Sequence, residues 1–122
     1  MFQRVFSAGL RGIDAHMVSV EADVSGGLPQ FQMVGLLSSE VREAKERVSA
    51  AVTNSGYEIF SRKITVNLAP ADIRKEGSAF DLPIAMAILC GLGFVNDKCM
   101  EDTIFVGELG LDGSLKEITG IG

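Results

Sequence analysis

The stretch Lys63–Ala87, KITVNLAPADIRKEGSAFDLPIAMA, decides how the rest of the chain is read. Ile64, Val66 and Leu68 alternate with Thr65 and Asn67, the period-two pattern of a strand with one packed face, and Pro70 ends it by removing a ladder donor. A polar loop carrying Asp72, Arg74, Lys75 and Glu76 follows, and Gly77 and Ser78 lead to Asp81. There a carboxylate is predicted to cap a helix by accepting from the free amides of the first turn. Pro83 falls in that same turn, where its missing N–H costs little. From Leu82 to Leu92 no residue is charged and apolar side chains point all round, which predicts a helix largely surrounded by protein.

Working upstream, Asn54, Ser55 and Gly56 stop an earlier helix, and a short segment around Tyr57 to Phe60 joins it to the central strand. That helix opens at Ser38 or Ser39 as cap, with Glu40 and Glu43 where the helix dipole favours negative charge. Its apolar stripe is Val41, Ala44, Val48 and Ala51 or Val52. Arg42 with Glu46 and Glu43 with Arg47 are i, i+4 pairs on a solvated face. Three strands precede it: Arg4 to Ala8, Ile13 to Val24 with Val18, Val20, Ala22 and Val24 on one face, and a short run from Phe31 to Gly35. His16 has no Cys, Asp or Glu at ligand spacing, and a lone histidine of this kind is structural more often than catalytic.

Downstream, Gly91 and Gly93 break the uncharged helix, and a polar link through Asn96, Asp97 and Lys98 reaches a predicted strand at Thr103 to Gly107. In GELGLDGSLKEI, Asp112 and Gly113 give a two-residue hairpin signal, with Leu109 and Leu111 before it and Leu115 and Ile118 after it. The chain then closes on Thr119, Gly120, Ile121 and Gly122 with neither a helix stop nor a charged tail. We expect residues 1–122 to be one domain of a longer protein, cut near its C-terminal end.

With 122 residues, 47% hydrophobic and 22% charged, the chain can bury a core without metal or disulfide staples. Its longest uncharged apolar run, Leu82 to Val95, is shorter than the ~18 residues a membrane span needs, and no leader pattern follows Met1. A cytoplasmic location without a membrane partner is the expectation. Cys90 and Cys99 make no CxxC pattern, and two reduced thiols suit that compartment better than a disulfide. A net charge of −5 and a pI near 4.8 disfavour a free-standing nucleic-acid binder, because that affinity rests on neutralising phosphates. Arg62 with Lys63 and Arg74 with Lys75 are the local basic pairs. GxxxxGK[ST] and HExxH are both absent, so no catalytic, metal or cofactor residue is assigned, and this chain by itself is not expected to bind ATP.

Four runs carry a family resemblance: GLPQFQMVGL, VREAKERVSAAVTNSGYE, ITVNLAPADIRKEGSAFDLPIA and FVGELGLDGSLKEI. Together they closely resemble the amino-terminal domain of the YifB/ComM proteins, bacterial magnesium-chelatase-like AAA+ ATPases. The resemblance implies an α/β fold like the second domain of ribosomal protein S5 and like the proteolytic domain of Lon: a mixed sheet with helices packed on one face. It also implies a parent that forms an ATP-driven homo-oligomeric ring, with ATP and magnesium bound downstream of Gly122. ComM-type members are associated with natural transformation and branch migration of DNA.

Lon uses a serine activated by a lysine, and such a pair needs hydrogen-bond contact. Matching Lon's KDGPSAG to KEGSAFD places Ala79 where the nucleophile would stand and Ser78 one residue early. On the turn before a helix, that shift rotates a side chain by about 100 degrees. Lon's lysine would fall near Gly122, well past Lys116. The resemblance therefore implies a non-catalytic accessory domain, packed on its own ATPase domain and on neighbouring subunits. The alternatives are a Lon-type Ser-Lys peptidase and an independent protein- or DNA-binding module. Arg62, Lys63, Arg74 and Lys75 bracket the central strand and its loop and are the candidate contact surface, toward a partner or toward DNA.

Overall fold

A computed structural model describes residues 1–11, 14–59, 61–96 and 102–116. Three strands open the chain, β1 (Phe2–Arg11), β2 (Asp14–Ser25) and β3 (Gln30–Val34). Two helical segments follow, α1 (Ser39–Arg42) and α2 (Ala44–Asn54), and then β4 (Lys63–Ala69), α3 (Asp81–Gly91) and the short strands β5 (Glu108–Leu109) and β6 (Leu115–Lys116). The main sheet is mixed, in the order β1-β2-β4-β3. β2 is antiparallel to both β1 and β4, while β3 runs parallel to β4. The helical segments form the crossover between β3 and β4, as parallel neighbours require.

Register puts the apolar alternation of β2 and β4 on one face, joined by Val5 of β1. Val5 lies opposite Val20, Val20 opposite Leu68, Ala22 opposite Val66 and Val24 opposite Ile64, and all of them are buried. α3 packs on β1 and β2, α2 packs on α3, and Val41, Ala44, Val48, Ile84 and Ile88 complete the same cluster. The helices thus cover one face. The other carries Arg4, Glu21, Asp23, Thr65 and Asn67, where Asn67 donates to Glu21 at 2.9 Å. β4 and α3 lie where the alternation and the uncharged run predict them. α3 is buried through Ile84, Ala85, Ala87, Ile88 and Cys90.

Several local readings change. The helix expected from Ser38 is interrupted at Glu43, where the Glu46 N–H reaches the Glu43 carbonyl and tightens the turn. Ser38 is its cap, accepting from Val41 N at 3.3 Å. Of the two charge pairs on its outer face, Glu43 meets Arg47 at 3.5 Å, while Arg42 and Glu46 do not pair. The strand expected at Thr103 to Gly107 is a single parallel bridge from Ile104 to Phe6, continued by Phe105 N donating to Phe6 O at 2.9 Å. The hairpin turn is longer than a two-residue turn. Leu109 faces Leu115, and the intervening loop is closed by Gly110 N donating to Ser114 O and by Asp112 accepting from Ser114. Leu111 and Leu115 are consequently exposed. His16 packs its ring over Gly9, where an added Cβ would come within 2.8 Å of it. Phe60, Asp97, Lys98, Cys99 and Ile118 lie outside the described residues.

Candidate functional site

The loop from Pro70 to Phe80 is tied to the start of α1 through its backbone. Lys75 N donates to Leu36 O at 2.8 Å, and Ser38 N donates to Lys75 O at 2.9 Å. These two bonds fix Lys75 with its side chain turned inward, at 1% exposure. Its Nζ donates to the Pro70 carbonyl, and burial pushes the ammonium below the ordinary lysine value, with Asp72 pulling weakly the other way. Lys75 is therefore withdrawn from the candidate contact surface: a charge in a polar loop reads as solvated, but main-chain bonds on both sides turn this one under the loop. Gly77 then takes a φ of 86°, a conformation that L side chains rarely adopt, and directs the chain into α3. Ser78 is half-buried, and no hydrogen bond joins it to Lys75.

Asp81 does not cap α3. Its carboxylate is fully buried and accepts from Arg47 Nε at 2.6 Å, from Arg47 Nη2 at 3.0 Å and from Leu109 N at 3.0 Å. The residue expected to satisfy its own helix instead joins α2, α3 and β5. Burial pushes the Asp81 carboxyl up, while the guanidinium and the amide pull it back, and the same pairing raises Arg47. Arg47 Nη2 also donates to Glu40 O at 3.1 Å and Nη1 to Glu43 Oε2 at 3.5 Å, so every nitrogen of its planar fork is engaged.

The remaining cations do not converge. Arg62 precedes β4, Lys63 is its first residue and Arg74 follows it, so at ~3.3 Å per residue the strand holds its two ends roughly 20 Å apart. Arg74 is exposed and pairs with Glu76 at 3.0 Å. Arg62 instead stands beside Lys45 of α2, at the mouth of an open cavity of about 250 Å³. Pro29, Phe31, Ile59 and Ile64 form its apolar lining. Lys45 escaped the reading of the sequence because it sits among the charges of α2. The usable signal is its i, i+4 spacing to Ser49, one step off the stripe of Ala44 and Val48, so that both line the cavity. Among the described residues, no group of three His, Cys, Asp or Glu side chains could hold a metal ion, and no helix is long and apolar enough to cross a membrane.

Residues 20–122 match the family model described as subunit ChlI of Mg-chelatase. The chain belongs to that family. It is 46% identical to the protein YifB of Escherichia coli over 89% of its length. It is 41% identical to the competence protein ComM of Haemophilus influenzae over 96%, and 38% identical to an uncharacterized protein of Mycobacterium bovis over 97%. These matches cover 22%, 23% and 24% of the respective relatives, so the chain spans less than a quarter of their length.

Proposed function

We propose that this chain is a non-catalytic accessory domain of a ComM/YifB-type AAA+ ATPase, packing on the ATPase domain and on neighbouring subunits of a homo-oligomeric ring. ATP and magnesium are assigned to the rest of that protein, since the sequence carries no GxxxxGK[ST] turn and, among the described residues, no group of three His, Cys, Asp or Glu side chains could hold a metal ion. The proposed work of the assembly is DNA processing, such as branch migration during natural transformation. DNA contact falls mainly to other parts of the assembly, because a net charge of −5 opposes phosphate binding here.

The observation that carries this reading is the inward Lys75. At the bend resembling Lon's nucleophile loop, the amine is committed to a backbone carbonyl, and among the described residues no base is hydrogen-bonded to the Ser78 hydroxyl. The test compares three proteins: ComM of Haemophilus influenzae, a ComM deletion lacking the matching segment, and a chimera with this chain in its place. Ring assembly by sedimentation and DNA-stimulated ATP hydrolysis should be lost in the deletion and restored in the chimera. A deletion that assembles normally, or Ser78-dependent cleavage of an unfolded protein by the chimera, overturns the proposal.

A further inference from the structure

β3 is an edge strand whose outer side has no neighbour among the described residues. Gln30 N donates inward to Arg62 O, so by the alternation of a strand the backbone groups of Phe31 and Met33 point outward. Natural edges are usually blunted by lysine, an inward charge or a bulge. β3 reads QFQMV, with neither a charge nor a bulge. Exposed apolar residues mark both its ends: Leu28 at 87% on one side, Val34 at 38% and Leu36 at 44% on the other.

Beside this edge, on the helix side of the sheet, lies the cavity under Lys45 and Arg62. Its volume of about 250 Å³ falls below the ~300–1,000 Å³ of small-molecule sites and suits one large apolar side chain. The lining holds two cations and no carboxylate. Neither Lys45 nor Arg62 has an ion-pair partner among the described residues, in a chain that is acidic overall.

We infer that β3 docks an extended segment of a partner protein as an added strand, with an apolar side chain entering the Phe31–Ile64 cavity and carboxylates two positions away meeting Lys45 and Arg62. Backbone pairing with Phe31 and Met33 supplies affinity, and the cavity with its cations supplies selectivity. The inference stands on the edge, the cavity and the unpaired cations, independently of the accessory role proposed above.

The test selects a phage-displayed library of short random peptides on the full chain and measures the winners by fluorescence anisotropy. Enriched peptides should carry an apolar residue with Asp or Glu two positions away. Lys45→Glu and Arg62→Glu, both at exposed positions, should each weaken them by on the order of tenfold. N-methylation of the peptide amides that face β3 should abolish binding, a readout that leaves the protein untouched. Several outcomes would overturn the proposal: no enrichment, enrichment of basic peptides, binding indifferent to N-methylation, or self-association of the chain that the peptides compete away, which would make a second copy the occupant.

Discussion

Lys75 and Asp81 stand at the two ends of the segment 75–81 that leads into α3, and both bury a chargeable group almost completely, at 1% and 0% exposure. Their surroundings differ. Asp81 receives three donors, two of them from one guanidinium, and so ties α2, α3 and β5 together. Lys75 has a single carbonyl, and burial drives its amine toward the neutral form. Burial disfavours the charged form of both groups, and they differ in how many partners offset that cost: three donors at Asp81, one carbonyl at Lys75. The Asp81 end is therefore where the domain's stability is most vulnerable to losing a partner, and the Lys75 end is where its response to alkaline pH lies.

The largest effect that would break this contrast is at Arg47. Arg47→Met leaves the Asp81 carboxylate buried with only the Leu109 amide, and breaking a buried pair on one side costs about 3–5 kcal/mol. The urea midpoint should fall accordingly with the denaturant slope unchanged. Combining it with Asp81→Asn, which keeps an acceptor for Leu109 N and removes the stranded charge, should recover part of that loss. If the double variant is less stable than Arg47→Met alone, Asp81 contributes through something other than its pairing.

How far the sequence foretold these features follows the range of each interaction. β4 and α3 are legible because their signals, strict alternation and an uncharged run, are contained within the elements. The Ser38 cap is legible for the same reason, since its hydroxyl and Val41 N lie within one turn. Asp81 was misread because a carboxylate before a helix looks the same whether it caps or pairs, and its partner Arg47 lies 34 positions upstream. Lys75 was misread because bonds from Leu36 and Ser38, across the fold, turn it inward. The β3 cavity was invisible for a related reason: QFQMV announces a strand, but its place at the sheet edge is set by β4 pairing with β2 on its other side.

A smaller effect sharpens the Lys75 end from its anchor. Ser38 holds the Lys75 carbonyl through its backbone N–H and caps α1 through its hydroxyl. Ser38→Ala removes only the second, so stability should fall by about 1 kcal/mol. Amide exchange should quicken at Val41 and stay unchanged at Lys75. Equal quickening at both would mean that the loop is held by the cap and not by its own main-chain bonds.

Lys75 itself gives the smallest shift at neutral pH and the clearest sign. Lys75→Met gives up one hydrogen bond, worth about 1 kcal/mol, and also removes the cost of burying an ammonium, so stability at neutral pH should change by no more than about that amount. Pro70 O keeps the Ile73 amide as a donor, so the carbonyl is not stranded. In the wild-type protein the folded-state value lies below the ordinary 10.5. Between the two, the unfolded chain binds more protons than the folded one, and stability rises with pH across that window. The variant has no such group. Its stability relative to wild type should therefore decline as pH climbs from neutral toward 10.5, with every other titration common to both proteins. A difference that stays flat across that range would mean that Lys75 is charged equally in both states, and that its burial does not shift the amine.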